Sequence, residues 1–261
     1  MADRRRIHGV FTDIDDTLTT DGVATGDALE AMARLKAGGL PLIAITGRPV
    51  GWSEPFALQW PVDAIVAESG AVALVPVLPG QLRKLHQQTS QVRAANFVRM
   101  QKVAARILRE VPGAVLSRDK AGRETDISID HSEYVQLAPA GIDRVVQLMR
   151  DEGMTATVSS IHVNGWYGDH NKLSGARWIV RELFGRDLDA EIERWVFVGD
   201  SPNDELMFRH FPHSVGVANI RRFEAALTHL PRYIAQAERG AGFAQVVQAI
   251  LQAKSVSSPH S

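Results

Sequence analysis

Apolar residues in the first third of the chain gather in short, nearly continuous runs. Ile7–Thr12, Leu40–Ile45 and Ala64–Ala67 each read as a strand buried on both faces, because their apolar positions do not alternate with polar ones. Between the first two, Asp27 with Glu30 has the spacing of a capping box that opens a helix, and Gly38-Gly39 ends it. The last third returns to this style. Leu173, Ala176, Ile179, Val180 and Leu183 recur at helical spacing until Gly185, and Trp195–Val198 is another buried strand. Asp204–His210 reads as a helix, Ser214–Val217 as a strand and Phe243–Ala253 as a final helix. Strands alternating with helices predict a parallel sheet covered on both faces.

The middle of the chain has a different rhythm. Phe97, Met100, Ala104, Ile107, Leu108 and Val111 mark a helical face that Pro112-Gly113 stops. Ala114–Ser117 and Glu124–Asp130 follow as strands joined by a turn. In the second strand Ile127 and Ile129 alternate with Asp126, Ser128 and Asp130, the pattern of a strand with one solvated face. A helix with Ile142, Val145, Val146 and Met149 inward comes next, and then strands near Met154–Val158 and Ile161–Trp166. The expected fold class is therefore α/β: a Rossmann-like parallel sheet core from residues 1–80 and 169–261, with an α+β domain inserted at 81–168. The Ser-rich tail, Lys254–Ser261, is expected to fray.

Composition narrows the chemistry. The chain has 261 residues and a formal net charge of −1, which argues against nucleic acid and against a membrane surface as partners, since both need a basic field. It has no cysteine, which excludes disulfides, cysteine-ligated metals and thiol nucleophiles and fits a cytoplasmic protein. No apolar run is long enough to cross a membrane. Only six residues are lysine.

Ligands of parallel α/β sheets bind beyond the carboxyl ends of the strands. The residues there are polar in every case: Asp13, Asp15, Asp16 and Thr17; Thr46, Gly47 and Arg48; Glu68-Ser69-Gly70; and Gly199, Asp200, Ser201, Asn203 and Asp204. Converging acids repel one another unless a cation lies between them. Carboxylate and carbonyl oxygens suit Mg²⁺, which takes one or two carboxylates together with a substrate phosphate. Hydroxyl, amide N–H, arginine and lysine groups suit that phosphate.

These segments resemble the four motifs of the haloacid dehalogenase superfamily. Asp13-Ile14-Asp15-Asp16-Thr17 is similar to its DxDxT motif, with Asp16 where glycine is common. Ile45-Thr46-Gly47-Arg48 resembles the second motif, Lys172 stands at the place of the third, and Gly199-Asp200-Ser201-Pro202-Asn203-Asp204 resembles the fourth. The insertion between the second and third resembles the type IIB cap of sugar-phosphate phosphatases. The resemblance implies Asp13 as nucleophile, Asp15 as general acid and then base, and a Mg²⁺ ion held by Asp13, Asp15 and Asp200, with Asp204 and Asn203 supporting the metal's water shell or steering Lys172. It implies Thr46, Gly47 and Lys172 on the phosphate, Asn203 beside Lys172 and Arg48 within reach of the substrate. The expected activity is that of a phosphoric monoester hydrolase acting on a small phosphorylated metabolite. Two other readings stay open: a phosphomutase on the same scaffold, and a non-enzymatic phospho-receiver or metal-binding module. The chain is expected to be a monomer or a homodimer.

In the insert, His162, Asn164 and Trp166 share one face of a strand. That face suits either sugar recognition or contact with the core. Asp126, Ser128 and Asp130 form a second polar face, expected to be solvated. Ser201 nearly completes a G-x-S-x-G elbow, but Asn203 replaces the last glycine.

Overall fold

A computed structural model of the chain describes residues 7–256. The last five residues of the tail expected to fray lie outside that range. The first segment runs β1 (Gly9–Thr12), β2 (Thr19–Thr20), β3 (Val23–Ala24), α1 (Gly26–Ala37), β4 (Leu42–Ile45), α2 (Val50–Gln59), β5 (Ala64–Ala67), β6 (Val72–Leu78) and β7 (Gln81–His86). The middle segment contains α3 (Ser90–Glu110), β8 (Val115–Leu116), β9 (Asp126–Asp130), α4 (Pro139–Asp151), β10 (Thr155–Val158) and β11 (His162–Trp166). The last contains α5 (Lys172–Phe184), β12 (Trp195–Gly199), α6 (Glu205–His210), β13 (His213–Gly216), β14 (Tyr233–Ile234) and α7 (Arg239–Val256).

The large sheet has the strand order β14-β13-β12-β1-β4-β5-β6-β7. Every pairing from β14 to β5 is parallel, and β6 and β7 add an antiparallel edge. Successive side chains of each strand alternate between two apolar layers. Val10, Leu42, Ala44 and Ile65 pack with Met32 and Leu35 of α1, Ala57 of α2 and Phe243 and Val247 of α7. Phe11, Ile43, Ile45 and Phe197 pack on the opposite face with Ala176, Ile179 and Val180 of α5 and Phe208 of α6. Each of the larger of these side chains (Val, Leu, Ile, Met, Phe), fully buried, contributes about 1.5–3 kcal/mol.

The hairpin β6–β7 extends the large sheet past residue 80, where the sequence pattern placed the start of the insert. The second sheet is antiparallel, in the order β10-β11-β9-β8, with α3 and α4 on one face. Ile127, Ile129 and Val163 meet Met100, Ile107, Leu148 and Met149 there. Phe97 and Leu108, expected to face inward, lie outside this layer at 46% and 43% exposure. The opposite face, expected to be wet, is dry. Asp126, Ser128 and Asp130 are each no more than 3% exposed, as are His162, Asn164 and Trp166. Alternation shows only that one face is polar. Here most polar partners are groups of the insert itself: Arg123 and Asn164 on Asp126, the Glu133 and Tyr134 amides on Asp130 and Glu133 on His162, while Asn164 also reaches the Gly47 carbonyl of the large sheet's loops. At α1 the cap is Thr25 rather than Asp27, whose carboxylate instead accepts from the Ala28 N–H at 2.9 Å.

Candidate active site

The strand ends bring one set of groups together. Asp13 follows β1, and its N–H donates to the Val198 carbonyl of β12 at 2.8 Å, so the ladder runs on to the carboxylate itself. Lys172 is the first residue of α5. The preceding Asn171 caps that helix, its side chain accepting from the Ser174 N–H while the Ser174 hydroxyl accepts from the Asn171 N–H. This fixes the lysine's origin, and its Nζ reaches Asp13 Oδ1 at 2.7 Å and Asp204 Oδ1 at 2.6 Å. Asn203 Oδ1 lies 3.4 Å from the same Nζ. Asp204 uses its other oxygen to accept from the N–H groups of Asp200 and Ser201, closing the turn after β12. Asp200 accepts from Thr17 Oγ1 at 3.4 Å and from Asn219 Nδ2 at 3.1 Å.

Asp13, Asp200 and Asp204 are all buried, and each offers an oxygen within 4.8 Å of the others. Lys172 is the one cation that contacts this trio among the described residues. Burial, with Asp204 and Asp15 beside it, pushes the Asp13 carboxyl up to about 7 against the pull of Lys172. Burial together with Asp13 and Asp204 likewise holds Asp200 well above the usual carboxylate range. Burial disfavours the Lys172 ammonium, but Asp13 and Asp204 outweigh it and keep it charged. One lysine against three buried acids leaves an excess of negative charge. A hard divalent cation fits this donor set, since carboxylate oxygens suit Mg²⁺, Ca²⁺ and Mn²⁺ alike.

Thr46, Gly47 and Arg48 follow β4. The Thr46 hydroxyl accepts from the Arg48 N–H at 3.0 Å, which leaves its own proton free to donate. Among the described residues, the amides of Ile14, Asp15 and Gly47 donate to no protein group. Arg48 grips Asp15: Nε lies 3.0 Å from both carboxylate oxygens and Nη2 lies 2.8 Å from Oδ1. The same guanidinium donates to two acids of the insert, Glu133 at 2.7 Å and Asp119 at 3.3 Å.

The insert's strand residues divide. Asn164 Nδ2 donates to the Gly47 carbonyl at 3.1 Å and to Asp126 at 2.9 Å, so it braces the phosphate-loop candidate from behind. His162 Nε2 lies 2.8 Å from Glu133, which holds Arg48 in turn. Trp166 donates to the His170 carbonyl at 2.9 Å. None of the three lines the cavity of about 570 Å³ beside Asp15, and contact with the core is the reading that holds for Asn164. The insert lends that cavity Ser132, Glu133, Tyr134, Ser160 and Ile161, which come from the loops after β9 and β10. Ser201 is buried and donates to Asn203 Oδ1 at 2.9 Å, with no histidine partner.

Three more residues complete the arrangement. Arg123 donates to Asp126, to Asp119 and to the Gly47 carbonyl. Glu68, at the end of β5 with φ +50°, accepts from the Val50, Glu124 and Thr125 amides and thereby ties the insert to the core. Asn219 joins Asp200 to the Asp16 carbonyl. Glu68 was visible as a polar strand end, whereas Arg123 and Asn219 carried no local signal.

Residues 10–98 match the family model described as haloacid dehalogenase-like hydrolase. Solved structures resemble nearly the whole chain at low identity. A Thermoplasma acidophilum protein is 15% identical, with a TM-score of 0.71 over 94% of this chain and 99% of its own. The sucrose-phosphatase of Synechocystis, solved with sucrose and phosphate, is 18% identical, with a TM-score of 0.66 over 95% and 98%. A sugar phosphatase of haloacid dehalogenase subclass IIB is 16% identical, with a TM-score of 0.59 over 94% and 98%. No curated protein matches the chain by sequence. Residues 10–98 thus match the haloacid dehalogenase-like hydrolase model, and the chain as a whole has the fold of these solved structures.

Proposed function

We propose that this protein is a Mg²⁺-dependent phosphatase of a small phosphorylated metabolite, of the sugar-phosphate class, with residues after His86 and up to Trp166 acting as its cap. The observation that carries this is the Asp13–Lys172–Asp204 chain with Asp200 beside it and unpaired amide donors around it. The Asp13 carboxylate attacks phosphorus, and the bond to the ester oxygen breaks to leave an aspartyl phosphate. Thr46, the Gly47 amide and Lys172 hold the phosphoryl oxygens as charge develops on them. Asp15 gives a proton to the departing alcohol and then takes one from the water that frees phosphate. Arg48 orients Asp15 while Glu133 and Asp119 of the cap hold Arg48. The metal would rest on the Asp13 and Asp200 carboxylates and the Asp15 carbonyl, where it would offset the repulsion between acid and phosphate. Asp204 has both oxygens engaged, and its part is to steer Lys172. The polar lining of the cavity, with Ser132, Ser160 and Tyr134 among its groups, supports a hydroxyl-rich leaving group.

The test is inorganic phosphate released from p-nitrophenyl phosphate and from a panel of sugar phosphates, with Mg²⁺ and with EDTA. Turnover is expected with Mg²⁺ only. Asp13→Asn should lower kcat by about 10³-fold or more with an unchanged melting profile. A folded Asp13→Asn protein with full activity would sink the mechanism. Transfer of phosphate to a second sugar instead of water would favour the mutase.

A further inference from the structure

We infer that the cavity beside Asp15 receives phosphate esters whose alcohol portion carries a second anionic group, and that Arg239 and Arg222 hold it. This rests on the phosphatase reading and narrows its substrate class.

The cavity's charges are unequally committed. Asp15 and Glu133 line it, but Arg48 binds both and His162 also binds Glu133. Arg48 in turn has its Nε, Nη1 and Nη2 all engaged by acids. Asp21 is exposed. The two remaining arginines in the lining are different. Arg239 makes one ion pair, Nε to Asp16 Oδ1 at 3.1 Å, and among the described residues its side chain donates no aligned hydrogen bond. Arg222 donates from Nη2 to Glu238 at 3.2 Å and is more than half exposed. Each guanidinium carries five donors, so most of these ten are unspent.

The backbone is bent at Arg239 and at its partner Asp16. Arg239 and Asp16 both have positive φ, +52° and +54°, which side-chain-bearing residues rarely adopt. Asn219 holds both, accepting from the Arg239 N–H at 3.0 Å and donating to the Asp16 carbonyl at 3.0 Å. Strain of this kind persists where surrounding groups enforce it, and it clusters at ligand clamps. Unspent guanidinium donors on a strained, braced segment suit the paired oxygens of a carboxylate or phosphate better than neutral hydroxyls, since a planar fork binds such groups with two parallel bonds.

Matched substrates test this: glycerol 3-phosphate against 3-phosphoglycerate, sorbitol 6-phosphate against 6-phosphogluconate, and fructose 6-phosphate against fructose 1,6-bisphosphate. The first two pairs exchange CH2OH for carboxylate, and the third adds a second phosphate, so the arms separate the two sources of charge. The wild-type kcat/KM should favour the anionic member of at least one pair by about tenfold or more, chiefly through KM. Arg222→Gln with Arg239→Gln should bring that ratio near one, and Arg239→Lys alone should keep much of it. If p-nitrophenyl phosphate is turned over while no pair favours its anionic member, or if the ratio survives in the folded double variant, the inference alone is overturned. No phosphate release from any ester overturns the phosphatase reading and this inference with it.

Discussion

Asn219 engages both ends of its amide at the site. Its Nδ2 holds Asp200 and the Asp16 carbonyl, and its Oδ1 takes the Arg239 N–H. It is 2% exposed. Partners that orient a metal-binding carboxylate are worth about 10–100-fold in metal affinity. Asn219→Ala is expected to raise the Mg²⁺ concentration for half-maximal phosphate release by that factor. Unchanged Mg²⁺ dependence in the folded variant would remove Asn219 from this role. Nothing around Asn219 in the sequence announces it, because its partners are 19 and 203 residues away. Asp13, Asp15 and Asp200 were legible for the opposite reason. Asp13 and Asp200 directly follow strands whose apolar runs are plain, and Asp15 comes two residues after Asp13, so the sequence itself locates them at the sheet edge.

At the scale of elements, the contact between the turn after β5 and the start of α5 positions Lys172. Gly70 has φ +110°, and a Cβ there would collide with the Asn171 carbonyl, while Gly175 of the helix packs against the Gly70 Cα. Gly70→Ala is therefore expected to push back the first turn of α5 and withdraw Lys172 from Asp13. We expect lower kcat together with a loss of about 1–3 kcal/mol in stability. Thermal melting and phosphate release, measured on the same preparation, check the two effects. Wild-type kcat in the variant would show that α5 tolerates the shift. The insert shows where element-level reading stops. Alternation along β9 correctly marked Ile127 and Ile129 as core, but it could not tell a face against water from a face against Arg123 and Asn164. Both surroundings satisfy polar groups equally well. The hairpin β6–β7 escaped for a related reason, since the apolar run Ala71–Leu78, with Pro76 inside it and Pro79 after it, states neither its direction nor its neighbour.

At the scale of the whole molecule, the cost of the site is a cluster of buried acids. Asp13 is ionised with difficulty in the fold, at about 7, against 3.8 for an ordinary aspartate. Between those values the folded state holds a proton that the unfolded state has lost, so metal-free stability falls as pH rises from about 4 to about 7. A cation that binds the ionised carboxylates reverses this, and it does so most where they are ionised. The rise in melting temperature on adding Mg²⁺ is accordingly expected to be larger at about pH 8 than at about pH 5. An equal rise at both would show that the ion binds elsewhere.

The strand order has one more consequence, for assembly. β1 lies between β4 and β12, and its register pairs Gly9 with Trp195 and Thr12 with Val198. The strand that leads into Asp13 thus gains its second neighbour only when some 180 further residues of the chain have been made. Until then one edge of β1 is open, and Asp13 lacks Lys172 and Asp204 as well. Contacts this distant in sequence slow folding and prolong the exposure of unpaired strands. The insert, whose strands and helices are all drawn from one continuous stretch, can close its own sheet first. The chemistry proposed for this chain thus waits on pairings between distant parts of the sequence.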